Sequence, residues 1–323
     1  MSTLIFGGKN DVDTHIRYEG SKKQKIDNYI KVLFSFHNLG RIFQTIIIRN
    51  YRNRTLSLQY IMELVGKQKT QNIGEKDEVQ CTKRLFSLDS ELNYNELVRV
   101  FGDDASEGIE VINPSTHVPY SNIDQIKKTA GSYKADVVVR MKKNQKPYNI
   151  SIKSTTGAPP AILNHTHRNA KVFQEGGQLN EHLPNIDMLL DEYKEKRTSR
   201  AFKEDVSMTN LECIQNPDIR NSIVNTLAYF LFQGTGSGES KQRADSILVW
   251  NKGDMTFKDC TNTEEQQSYA NSILENSVMS LREKGMSKTV HNNMLPWVYE
   301  EENNGVLKRK GCWHIRMDKK MKK

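Results

Sequence analysis

Polar and apolar residues alternate over Asn149-Ile150-Ser151-Ile152-Lys153. That period of two predicts a strand with Ile150 and Ile152 on a buried face and Asn149, Ser151 and Lys153 on the other. A second short run, Lys134-Ala135-Asp136-Val137-Val138-Val139-Arg140, precedes it. The polar, Pro-interrupted stretch from Met141 to Pro147 between the two reads as a turn. The segment is therefore expected to fold as a pair of strands, a hairpin. Ser246–Trp250 and Met255–Lys258 predict a second hairpin around Asn251-Lys252-Gly253-Asp254.

Helical spacing dominates elsewhere. Ile26, Tyr29, Ile30, Leu33 and Phe34 predict a helix that stops at Gly40, and Leu56, Ile61, Met62 and Val65 another that ends near Gly66. Between them, residues 42–48 carry the β-branched run of a strand. The polar stretch 66–78 reads as a linker. Leu97, Val98 and Phe101 predict a short helix, residues 109–112 a brief strand, and residues 123–128 a helix capped by Ser121 or Asn122. The clearest helix spans 216–232: Asn216 caps it, Pro217 suits its first turn, and Ile219, Ile223, Val224, Leu227 and Leu231 share a face. The small, polar and Pro residues of 154–169 predict a shaped loop. Helices and strands mix without regular β-α-β alternation, so the expected class is α/β in the mixed, α+β sense. Residues 1–78 are expected to form a helical N-terminal region serving DNA binding or dimerisation, and 79–323 the core with a C-terminal extension.

Composition narrows the setting. The chain has 323 residues, 36% of them hydrophobic and 27% charged, with a formal charge of +8 that favours polyanionic partners. No apolar run is long enough to span a bilayer, and the N-terminus lacks the pattern of a signal peptide. Cys81, Cys213, Cys260 and Cys312 are scattered without a C-x-x-C pair, as reduced thiols are. Together these predict a soluble, intracellular, cytoplasmic protein without a membrane partner. Arg49, Arg52, Arg54, Lys22, Lys23 and Lys25 suit phosphate contacts or a solvated face, and the tail 319–323 is basic. Trp250, Trp297 and Trp313 read as core or interface residues.

The chemistry concentrates on the first hairpin. It can bring together an acid (Asp136), a hydroxyl (Ser151) and an amine (Lys153). A carboxylate able to hold a divalent metal, beside a Lys able to orient water, is a minimal kit for phosphodiester hydrolysis. Asp245 and Lys258 form a rival pair on the second hairpin, where a purely structural role is the simpler reading. His165 and His167 between Asn164 and Asn169 are too closely spaced for a His-Asn-His metal element, and the glycine loop 234–238 lacks the Gly-Lys-Ser/Thr end of a P-loop.

Asp136 followed by Ser151-Ile152-Lys153 resembles the signature of the restriction-endonuclease-like (PD-(D/E)xK) superfamily, as do the loop 154–164 and the run from Gly234 to Leu248. The likeness is to type II restriction enzymes and covers about a third of the chain. It implies a mixed sheet flanked by helices and Mg²⁺-dependent, site-specific cleavage of double-stranded DNA by a homodimer, whose two-fold symmetry suits palindromic sites. It further implies Asp136 as metal ligand with the Ile152 carbonyl, Lys153 as the residue that positions water and stabilises charge, and Ser151 at a position usually acidic. A hydroxyl is a poorer Mg²⁺ ligand than a carboxylate, so either one metal suffices or Glu107, Glu110 or Glu175 completes the shell. Thr155, Asn164, His165 and Arg168 suit DNA contacts, since amides and Arg read base edges and phosphates, or equally a polar surface loop. The competing readings are a DNA-binding protein that keeps the scaffold without catalysis, and a structure-specific repair nuclease.

Overall fold

In a computed structural model, residues 48–49, 55–56, 72–157, 160–199, 201, 205–236, 238–282, 290–312 and 315–316 are described. The chain divides into two units, residues 1–71 and 72–323. In the first, Ile48–Arg49 pairs antiparallel with Thr55–Leu56. The remaining elements expected there, the Lys and Arg sets (apart from the backbone of Arg49), the basic tail and Trp313 lie outside the described residues.

The second unit opens with helix α1, Ile73–Ser90. Asn72 caps it by accepting the Gly74 N–H at 3.3 Å, and Cys81, Leu85 and Leu88 recur at helical spacing as its fully buried face. The polar stretch expected to be a linker thus ends inside a helix. Helix α2, Tyr94–Phe101, buries Leu97, Val100 and Phe101 and stops at Gly102, which takes a φ of +79°. Three strands follow: β1 (Ile109–Ile112), β2 (Val137–Met141) and β3 (Pro147–Ser154), paired antiparallel in sequence. The helix expected over 123–128 is shortened to one 3-10 turn, Ile123–Gln125, capped by Asn122.

About ninety residues then intervene. They hold β4 (Ala161–Leu163), α3 (Leu183–Thr198), β5 (Asp205–Ser207) and α4 (Pro217–Ala228), the last capped by Asn216 and ending in a π turn at Tyr229–Gln233. The loop expected over 154–169 is therefore partly regular: β4 and a 3-10 turn, His165–Asn169, lie within it. The chain returns as β6 (Ser246–Asn251), which lies parallel to β3, and turns through Lys252 and Gly253, both at positive φ, into antiparallel β7 (Asp254–Asp259). The five-stranded order is β7-β6-β3-β2-β1.

Helix α5, Thr263–Asn276, begins with a reciprocal cap between Asn262 and Glu265 and leads to β8, Val278–Ser280. A hairpin of β9 (Val298–Asn303) and β10 (Val306–Gly311) precedes β11, Ile315–Arg316. A second sheet has the order β4-β11-β8-β5. The molecule is mixed α+β, and its main sheet separates two apolar clusters. Cys81, Leu85 and Leu88 of α1 belong to the cluster with Val137, Ile150, Ile152 and Leu248, whereas Ile247 joins α3, α4 and α5 in the other. Burial of β6 on both faces fits its central place in the sheet. Among the described residues no helix is long and apolar enough to cross a membrane.

Candidate active site

The β2–β3 ladder ends at Val137↔Ile150, with the Asp136 N–H donating to the Ile150 carbonyl at 2.8 Å. Beyond that pair β3 continues without β2 beside it. The Ile152 N–H, freed of a ladder partner on that side, donates instead to Asp136 Oδ2 at 2.7 Å. Ser151 Oγ donates to the same oxygen at 3.4 Å and accepts from Lys153 Nζ at 2.7 Å. A serine hydroxyl has one proton and two lone pairs, so it can link an ammonium to a carboxylate. The three residues expected to act together are thus joined Lys153–Ser151–Asp136, with Ser151 only 1% exposed. Two donors fix Asp136 Oδ2 and leave Oδ1 free of them. The Ile152 carbonyl lies on the strand edge that carries its N–H, facing Asp136.

The nearby carboxylate is one that sequence reasoning missed. Glu78, in the first turns of α1, is pushed above the usual carboxylate range by burial and then by the charge of Asp136, against the pull of Lys128 and Lys153. Lys128 contacts both Glu78 (3.3 Å) and Glu75 (3.1 Å). The neighbouring Asp77 accepts a hydrogen bond from Ser154 Oγ, which anchors this end of α1 to the end of β3. Of the acids expected to replace the missing one, Glu110 pairs with Arg140 at 3.1 Å, while Glu107 and Glu175 are exposed; the Asp136 carboxylate bonds instead to Ser151 and Ile152. Lys134 joins the cluster as well. Burial, reinforced by the Lys153 charge and opposed by Asp136 and Glu78, holds its ammonium down to about 7.

The remaining expected residues bond within the fold. Thr155 donates its N–H and its hydroxyl to the Trp250 carbonyl, at 2.8 and 3.4 Å. Asn164 caps the 3-10 turn, and His165 is buried beneath Gly311. Arg168 forms a two-toothed pair with Asp187, 3.0 and 2.6 Å, and the Trp297 indole donates to the same carboxylate at 2.7 Å. His167 packs on Phe230, ring centroids 4.8 Å apart, and burial takes its imidazole down to about 4, leaving it neutral near pH 7. Asp245 accepts the Asn149 N–H (2.8 Å), its amide (2.6 Å) and Ser246 Oγ (2.9 Å), whereas Lys258 is exposed opposite Ile247. The rival pair is therefore a clamp between β3 and β6 beside an exposed lysine.

Asp136 Oδ1, the Glu78 carboxylate and the Ile152 carbonyl are hard oxygen donors of the kind Mg²⁺ prefers. A carboxylate such as Glu78, raised by burial and by the charge of Asp136, gains from a cation beside it. Among the described residues no three His, Cys, Asp or Glu side chains converge as a metal-holding group.

No protein-family profile matches the chain, and neither the curated proteins nor the solved structures contain a significant match.

Proposed function

We propose that this protein is a metal-dependent endonuclease that hydrolyses phosphodiester bonds of double-stranded DNA, with the restriction-endonuclease-like arrangement. The observation that carries the reading is the Lys153–Ser151–Asp136 chain at the point where β2 and β3 part, with Glu78 approaching from α1. The element order supports it: two helices, three antiparallel strands, a helical crossover and a fourth strand parallel to the third, which together make the mixed sheet flanked by helices that the resemblance implies. The net charge of +8 suits a polyanionic substrate.

Asp136, Glu78 and the Ile152 carbonyl would hold Mg²⁺, which activates water and neutralises charge on the phosphate. Lys153 would orient the attacking water and stabilise the developing negative charge. Ser151 keeps Lys153 from swinging away and holds Asp136 with one oxygen presented. Action as a homodimer at palindromic sites belongs to this proposal.

The test is incubation of the purified protein with a large defined plasmid and Mg²⁺, followed by sequencing of the ends. Discrete ends that disappear with EDTA are expected. Asp136→Asn and Lys153→Ala should each lower the rate on the order of 10²–10³-fold without unfolding the protein. Wild-type cutting by both variants would move the site elsewhere. Binding without any cutting would favour a DNA-binding protein on a nuclease scaffold, and cuts confined to junctions or flaps a repair nuclease.

A further inference from the structure

Beside this site lies a cavity of about 350 Å³ walled by Asn149, Gln233, Gln242, Arg243, Asp245 and Gln266. Two links fix its position. Asn149 shares a strand face with Ser151 and lies about 7 Å from it along β3. The Gln242 carbonyl accepts the N–H groups of Lys134 (2.9 Å) and Ala135 (3.2 Å), the residues that lead into Asp136.

The walls brace one another. Gln242 Nε2 donates to Asn149 Oδ1 at 2.6 Å, and the Asn149 amide donates to Asp245. Gln233 Oε1 accepts from Gln178 at 2.9 Å, and Gln266 Nε2 donates to the Cys260 carbonyl at 3.1 Å. One half of each glutamine amide is thus anchored by the protein, which fixes the other half. Left over are donors, Gln233 Nε2 and the second N–H of Gln242 and of Gln266, and two acceptors, Gln242 Oε1 and Gln266 Oε1. Such groups at a cavity wall gain when a ligand completes their bonds. A phosphate offers acceptors only and would leave the two amide oxygens unmatched. A heterocycle whose edge presents both donors and acceptors matches both kinds. Arg243, steadied by Glu239 at 2.5 Å, adds a guanidinium plane of the sort that stacks on bases. The cavity is of small-ligand size and concave, and a base paired within a duplex cannot enter a concavity.

We infer that this cavity binds one unpaired nucleobase, within one or two nucleotides of the phosphodiester held at Asp136 and Lys153. The inference rests on the nuclease reading for its substrate, and its test does not need cleavage. Fluorescence anisotropy of the full chain with labelled single-stranded octamers of dA, dC, dG, dT and abasic sites, with Ca²⁺ in place of Mg²⁺, reads base preference directly. At least a tenfold preference for one base over the abasic octamer is expected. It should fall below about twofold in Gln233→Leu and Gln266→Leu. Gln233→Glu, which keeps the shape and removes the donor, should do the same, with circular dichroism confirming the fold. Equal binding of all octamers, or a preference that survives in the folded variants, overturns the inference. Base preference without Mg²⁺-dependent cutting upholds the cavity and sinks the nuclease reading alone.

Discussion

Ser151 is the residue at which the Asp136 and Lys153 pattern breaks, and its contacts give it a positioning role. Its hydroxyl accepts from Lys153 and donates to Asp136, so Ser151→Ala should release Lys153 and cost about 10–100-fold in kcat, as loss of an orienting partner does. Ser151→Glu should be worse than Ser151→Ala, because a third carboxylate beside Asp136 and Glu78 adds repulsion. Equal activity of the two variants and wild type would remove Ser151 from the site. Glu78 carries a second expectation. Its raised proton affinity means that ionising it costs the fold stability as pH rises through its folded pKa, and a cation reverses that cost. Mg²⁺ should therefore raise the melting temperature of wild type, and Glu78→Gln should raise it without metal while abolishing the Mg²⁺-dependent rise. The alternation of residues 149–153 made the grouping of Asp136, Ser151 and Lys153 legible in the sequence. Glu78 was not legible, since it sits in a polar stretch whose helical signal, Cys81, Leu85 and Leu88, only begins three residues later.

Single elements hold or fail through a few contacts. Between α2 and β1, Gly108 takes a φ of +92°, and a Cβ there would stand 2.4 Å from Asp89 Oδ1, the atom that accepts from Ile109 N and Lys142 Nζ. Gly108→Ala should cost on the order of 2 kcal/mol or more in urea denaturation, through backbone strain and the displaced carboxylate together. On α3, burial works against ionised Glu192, but hydrogen bonds from Cys213, Lys196 and Glu212 outweigh it and bring the carboxyl to about 2. A depressed carboxyl adds stability above its unfolded pKa, near 4, and loses it as pH falls towards 2. Glu192→Gln should accordingly flatten the fall of stability between pH 5 and 2 in thermal melts. The capped helix α4 and both main hairpins were readable because cap, turn and periodicity agree. Helix α3 also carried a readable stripe, Ile186, Leu189, Leu190 and Tyr193, which the polar residues around it obscured. The strands of the second sheet are two or three residues long, too short for a period of two to register.

For the whole molecule, charge and connectivity matter more than any one contact. If the excess of Lys and Arg meets phosphates, the affinity for duplex DNA should fall with salt at a log–log slope of about −0.9 per phosphate neutralised. A flat response from low to physiological ionic strength would make the charge incidental. The mixed class was legible from the interleaving of helix and strand periods. The parallel β3–β6 pairing was not, because no local pattern tells a strand which partner to take about ninety residues later. That separation has a consequence during synthesis. Until residue 246 has left the ribosome, the growing chain carries β3 as a bare sheet edge, with Ile150 and Ile152 beside open backbone groups. Chains halted between the two strands should stick to one another through that edge and need a chaperone, whereas chains extended past β6 should stay dispersed.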